Sequence, residues 1–174
     1  MITQRKIKIP KDVSAEITGD TLHVSGPKGK IERRMHYPGV SIKIEDGAFI
    51  AETESTRKKV VAMLGTYASH ADNMFHGVIE EYVYTMKVVY SHFPIQLKAT
   101  KEALEIANFL GEKQSRYAAI PEGVKMKVAN DEVVLTGIDK ELVGMASGRI
   151  EKATKVRGRD SRVFQDGIYI VKKA

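Results

Sequence analysis

The side chains in this chain that could do chemistry are five histidines (His23, His36, His70, His76 and His92) and 22 carboxylates; there is no cysteine. Without a thiol, disulfides, thiolate zinc sites and cysteine nucleophiles are excluded. One histidine grouping stands out: His70, Asp72 and His76. On a helix, a spacing of six turns the two imidazoles to different faces, whereas a helical zinc pair needs a spacing of four. A polar helix end is the expected role. Phosphate loops of the GxxxxGKS or GxxxxGKT type are absent, as are GxGxxG and the GxSxG elbow. Gly26-Pro27-Lys28-Gly29 sets a cation between glycines, but between two strand-like runs a turn is the ordinary outcome. The carboxylates mostly lie beside bases, and none resembles an isolated acid pair in an apolar pocket. These residue types point away from an enzyme. No cofactor, metal or small-molecule substrate is expected.

What remains is charge. The net charge is +6, and its distribution is uneven. The last 26 residues carry eight basic side chains (Arg149, Lys152, Lys155, Arg157, Arg159, Arg162, Lys172 and Lys173) against Glu151, Asp160 and Asp166. Nearly all of the excess therefore sits in one short segment, a localised positive field of the kind that a phosphate backbone attracts. Apolar residues make up 43% of 174, enough for a packed core in one ordinary domain or two small ones. No apolar run approaches the length of a membrane span, and MITQRKIKIP lacks the apolar core of a signal peptide. A cytoplasmic protein with no membrane partner is expected.

The elements that must position these groups come from an internal repeat. Leu22 and Val24 match Leu104 and Ile106 at an offset of 82, and Gly29 matches Gly111 at the same offset. Val40, Ile42 and Ile44 fall on Val124, Met126 and Val128 at an offset of 84. Lys59, Val60, Gly65 and Tyr67 fall on Leu142, Val143, Gly148 and Ile150 at an offset of 83. Within each copy, short alternating runs mark strands with one buried face. Glu45-Asp46-Gly47 and Asn130-Asp131 are hairpin signals. A helix follows from Thr56 to about Phe75, with Val60, Met63, Leu64, Tyr67, Ala71, Met74 and Phe75 on one stripe, Ser55 as its cap and Gly77 as its exit. In the second copy Asp139 caps a helix whose stripe is Leu142, Val143, Met145, Ala146, Ile150 and Ala153. The fold class is α+β: two tandem repeats, 1–85 and 86–174, each an antiparallel sheet with one helix packed on a face. The alternating segment YVYTMKVVY at 82–90 is expected to be a strand that ends the first repeat and joins the second stiffly. The segment around KVRGRD is expected to be a basic loop. The segment RVFQDGIYIVKK after it is expected to be a hairpin turning at Asp166-Gly167, with Lys172 and Lys173 at its mouth.

The candidates for phosphate and base contact lie in the second half. They are Lys155, Arg157, Arg159, Arg162, Lys172 and Lys173, with Gly111, Lys113, Arg116, His92 and Phe93 nearby in sequence. Arginine forks grip phosphate bidentately and stack on bases, and Gly158 between Arg157 and Arg159 lets backbone approach closely. By residue type alone, Phe93 and Phe109 serve a core as readily as a stacking surface.

Four segments carry a family resemblance: GTYASHADNMFHGV at 65–78, YSHFP at 90–94, NFLGEK at 108–113 and VFQDGIYIVKK at 163–173. With these, essentially the whole chain resembles the family of large-subunit ribosomal protein six, of the archaeal and eukaryotic kind. The resemblance implies a duplicated α+β domain that binds 23S-type rRNA mainly through its second copy. It also implies a place among neighbouring large-subunit proteins near the base of the stalk, close to where translational GTPases dock. It marks Gly111 and Lys113 by match, while Lys155, Arg157 and Arg159 rest on charge. Met74 is expected to pack; for His70 and Asn73, packing and rRNA contact both stay open. The rival reading is a protein–protein scaffold whose first, near-neutral repeat is the working surface.

Overall fold

A computed structural model describes residues 2–173. The chain divides into two compact units, 1–81 and 82–174, each built from two antiparallel sheets and one long helix.

In the first unit, β1 (Thr3–Lys8), β6 (Ala48–Thr53) and β5 (Ser41–Glu45) form one sheet in the order β1-β6-β5. β2 (Ser14–Thr18), β3 (Thr21–Gly26) and β4 (Gly29–Arg34) form the other. The helix α1 (Lys58–Ile79) supplies Leu64, Tyr67, Ala71, Met74, Phe75 and Val78 to a core shared with Leu22, Val24, Phe49 and Ala51. The period-two runs put Leu22 and Val24 inward while their neighbours stay partly exposed. The β5–β6 turn is Asp46-Gly47, both at positive φ, the twist that a two-residue hairpin requires.

The second unit repeats this plan with an addition. β7 (Tyr82–Val89) occupies the place of β1, β12 (Glu132–Gly137) that of β6 and β11 (Val124–Ala129) that of β5. β13 (Gly167–Lys172) then pairs with the free side of β7, so the sheet order is β11-β12-β7-β13. β8 (Gln96–Ala99), β9 (Ala103–Ala107) and β10 (Arg116–Ala119) form the second sheet, with β9 central as β3 is in the first copy. The helix α2 (Lys140–Ala153) buries Val143, Ala146 and Ile150 against Tyr84, Met86, Leu104, Ile106, Leu135 and Ile168. Among the described residues, no helix is long and apolar enough to cross a membrane.

Several expectations change here. Each repeat carries two sheets rather than one. Residues 82–89 pair with β12 and β13 and so belong to the second unit. The C-terminal hairpin does not form. Residues 161–163 make a turn in which Val163 and Phe164 donate N–H bonds to the Asp160 carbonyl, and β13 finds its partner in the preformed strand β7 instead. Lys172 and Lys173 are therefore not at a hairpin mouth; Lys172 pairs with Thr85. Ser55 does not cap α1. Its Oγ accepts the N–H of Arg57, the residue before the helix begins, and Arg57 makes no side-chain cap. Gly77 is a buried position inside the helix, which runs on to Ile79. Met145 is exposed, because α2 covers its sheet with a narrower stripe than α1 does. Asp139 does cap α2, accepting the Glu141 N–H at 2.8 Å.

Two glycines of the first unit respond oppositely to an added methyl. A Cβ at Gly26 would lie 2.7 Å from Val78 Cγ2 and 2.9 Å from the Val78 carbonyl oxygen, which the β3–β4 turn holds through a 2.9 Å bond from the Lys28 N–H. At Gly65, inside α1, a Cβ would meet nothing within 4 Å. Gly26→Ala is expected to destabilise by about 1–3 kcal/mol, and Gly65→Ala to stabilise by about 0.5–1 kcal/mol. Urea unfolding of the two variants beside the parent checks the pair of signs.

Candidate nucleic-acid interface

The cationic candidates converge on the C-terminal end of α2. The last carbonyls of a helix have no intrahelical donor, and the aligned peptide dipoles leave that end negative. Arg116, on β10, answers both needs. Its Nη1 donates to the carbonyls of Ala153 at 2.8 Å and Lys155 at 3.2 Å. Its Nε and Nη2 grip Glu112 at 2.8 and 2.6 Å, and the guanidinium lies 4.3 Å above the fully buried Phe109 ring. Arg116 is thus spent on joining β10, the 108–113 loop and the root of the basic segment. Its geometry suits it to positioning that segment rather than to meeting a ligand. The Arg116 guanidinium also holds the Glu112 carboxyl below its ordinary value, with a smaller contribution from Arg159.

The loop that Arg116 braces is unusual in its backbone. Asn108, Leu110 and Gly111 all have positive φ, at 59°, 52° and 76°. For leucine this region is sterically unfavourable; Leu110 is held there with its side chain buried, and Asn108 Nδ2 donates to the Pro94 carbonyl at 3.1 Å. Gly111 is favoured by its positive φ, and a Cβ there would also crowd the Phe93 ring, at 3.2 Å from Cε1. Phe93 is 44% exposed and His92 is exposed beside it. Lys113 follows, also exposed.

The basic segment leaves α2 through Thr154. Its buried hydroxyl donates toward the Ile150 and Glu151 carbonyls and accepts the Ile168 N–H at 3.1 Å, tying the helix end to β13. Lys155 and Arg157 are exposed beyond it. Gly158 has φ 68° and open space around it, so its conformation rather than crowding calls for glycine. Arg159 stacks over Phe164 at 4.9 Å. Arg162 is gripped by Asp160 through Nε and Nη2 at 3.1 and 3.0 Å, and this hydrogen bonding lowers the Asp160 carboxyl's pKa. A cleft of about 810 Å³ opens here, lined by Glu151, Lys152, Lys155, Arg157, Phe164 and Tyr169 among others.

The structure therefore gathers Gly111, Phe93, Arg116, Lys155, Arg157 and Arg159 around one helix end, with His92 and Lys113 next to them in the chain and Arg162 in the following turn. It leaves Lys172 and Lys173 apart, about 17 Å along β13 from Gly167. Sequence reasoning missed Glu112, Thr154, Phe164 and Tyr169. The Glu112–Arg116 spacing of four predicts a pair on a helix; here a loop and a strand bring the two side chains together instead. Among the described residues, no group of three or more His, Asp or Glu side chains is arranged to hold a metal ion.

The architecture defines a class: a duplicated α+β protein in which both copies keep the fold and the second carries nearly all of the net charge. Comparison with known proteins narrows it. A family model described as ribosomal protein L6 matches the chain twice, at residues 9–81 and 93–167. The large ribosomal subunit protein uL6 of Methanospirillum hungatei is 54% identical over 174 residues, spanning 100% of this chain and 99% of its own length. Its counterparts in Methanothrix thermoacetophila and Methanococcus vannielii are 46% and 43% identical, over 97% and 99% of this chain and 96% and 95% of their own. The chain belongs to the ribosomal protein L6 family, whose members are structural ribosomal proteins and not enzymes.

Because the Glu112 carboxyl titrates below its ordinary value of 4.5 in the folded chain, its contribution to stability is fully present above that value. It is lost as pH falls through the lowered folded value. Glu112→Gln removes this contribution. Unfolding curves measured from pH 6 down to pH 2 should show the parent losing its advantage over the variant in the acid range, the two converging at the lowest pH. A constant gap across the range would contradict the ion pair.

Proposed function

We propose that this chain is a structural constituent of the large ribosomal subunit, in the cytoplasmic ribosome, where its second unit binds 23S-type rRNA. The proposed place is near the stalk base and the docking region of the GTPase factors, among neighbouring large-subunit proteins. The observation that carries the reading is the cluster at the end of α2, where Lys152, Lys155 and Arg157 line one cleft and Arg159 stacks on its Phe164, with Lys113 exposed on the loop that Arg116 braces. Arg116 and Thr154 fix the backbone beneath them. A polyanion that meets these cations releases its own counterions on binding. Family membership over nearly the whole chain supports the same reading.

Five cations meeting phosphate give an expected log–log salt slope of about −3.5 to −4.5 for binding to a large-subunit rRNA transcript. Arg157→Glu with Arg159→Glu should weaken binding and flatten the slope by roughly 1.5 to 2 while the unfolding curve stays near that of the parent. Unchanged affinity and slope would remove this segment from the interface.

A further inference from the structure

Tyr169 is an aromatic ring fixed in place with solvent on one side. It stands on the outward face of β13 and is 45% exposed, while its neighbour Ile168 is buried in the core. Its hydroxyl donates to the Gln165 carbonyl at 2.9 Å. The far edge of the ring lies over Gly167: a Cβ there would meet Cζ and Oη at 3.1 Å and Cε2 at 3.2 Å. Gly167 does not have a positive φ, so a side chain there would be disfavoured by crowding against the ring rather than by backbone strain. Held by its hydroxyl and by the bare backbone beneath it, the ring has little rotational freedom left to lose on binding.

The surroundings state what would cover it. Tyr169 lines the same cleft as Lys152, Lys155 and Arg157. Its register partner on β7 is Lys87, also exposed. The one acid in the cleft lining, Glu151, accepts the Ile170 N–H through Oε1 at 3.3 Å, so part of its charge is already met by backbone. A planar aromatic face bordered by cations is complementary to a nucleotide, with the base on the ring and the flanking phosphates on the lysines and arginine. The other ring lining the cleft, Phe164, is half-buried beneath Arg159, and Phe109 is fully buried under Arg116; Phe93, as exposed as Tyr169, packs on Gly111 and does not line this cleft.

We propose that Tyr169 is a stacking platform for one unpaired base of the bound RNA. In continuous duplex each base face is covered by its neighbours, so the RNA in this cleft presents a looped-out, bulged or terminal nucleotide. The inference rests on the RNA-binding reading above and adds to it both a residue and a substrate class.

The test is binding of a full-length large-subunit rRNA transcript across a salt series, with Tyr169→Phe, Tyr169→Leu and Tyr169→Ala beside the Arg157→Glu, Arg159→Glu double variant. Tyr169→Ala should weaken binding roughly five- to 150-fold with the salt slope unchanged, because no phosphate contact is lost. Tyr169→Phe should stay within a few-fold of the parent, since the π-face remains. Tyr169→Leu keeps apolar cover over Gly167 without a π-face and should resemble the alanine variant; it carries the test if the alanine variant unfolds. Parent-like binding by Tyr169→Leu would overturn the inference. If at the same time the arginine double variant still weakens binding and flattens the slope, the RNA-binding reading stands without it. If neither the tyrosine nor the arginine variants change affinity, both fail at this cleft.

Discussion

The second unit's surface depends on one guanidinium. The end of α2 presents carbonyls with no helical donors, next to a loop bent through three left-handed residues and a segment carrying several like charges. Each of these is unfavourable alone. Arg116 answers all three at once, by donating to Ala153 and Lys155, by clamping Glu112 and by stacking on Phe109. Hydrogen bonds to a charged group are worth about 1.5–3 kcal/mol each when well formed, and here they come from a side chain that is largely shielded from water. The cations beyond Thr154 are presented in a fixed arrangement because their root is anchored this way.

Comparing the two sheets that share a topology shows how the copies have diverged. The outward face of β1-β6-β5 is closed by its own charges: Lys6 and Lys43 flank Ile50 in register, and Lys43 reaches Glu45 at 3.2 Å and Glu52 at 3.1 Å. The corresponding face of the second unit carries Val83, Lys87 and Val89 on β7, and β13 extends it with Tyr169 and Lys172. Large exposed hydrophobic side chains follow the same division. Ile2 is the one in the described part of the first unit, whereas Tyr90, Phe93, Tyr117, Val163 and Val171 are among those in the second. The same scaffold is present twice, with exposed apolar side chains and excess positive charge concentrated in the second copy.

The scaffold was largely readable from the residues, because period-two and helical stripes report burial directly. Leu22 and Val24 against Leu104 and Ile106 located the central strands of equivalent sheets, and Asp139 marked the start of α2. What failed was non-local. Nothing in RVFQDGIYIVKK says that its strand pairs with residues 82–89 rather than with its own beginning. Arg116 read as a candidate for RNA contact rather than as a brace, because its partners Ala153 and Lys155 lie 37 and 39 residues away. Tyr169 read as one more alternating strand residue. Its orientation depends on Gly167 beneath it and on the Gln165 carbonyl four residues back, details that strand periodicity does not report.

The asymmetry between the copies is open to lysine acetylation footprinting, read by mass spectrometry with and without a large-subunit rRNA transcript. RNA should protect Lys113, Lys152 and Lys155 while Lys6, Lys8 and Lys43 of the first unit react as they do in the free protein. Protection centred on Lys6, Lys8 and Lys43, with Lys113, Lys152 and Lys155 still fully reactive, would contradict it.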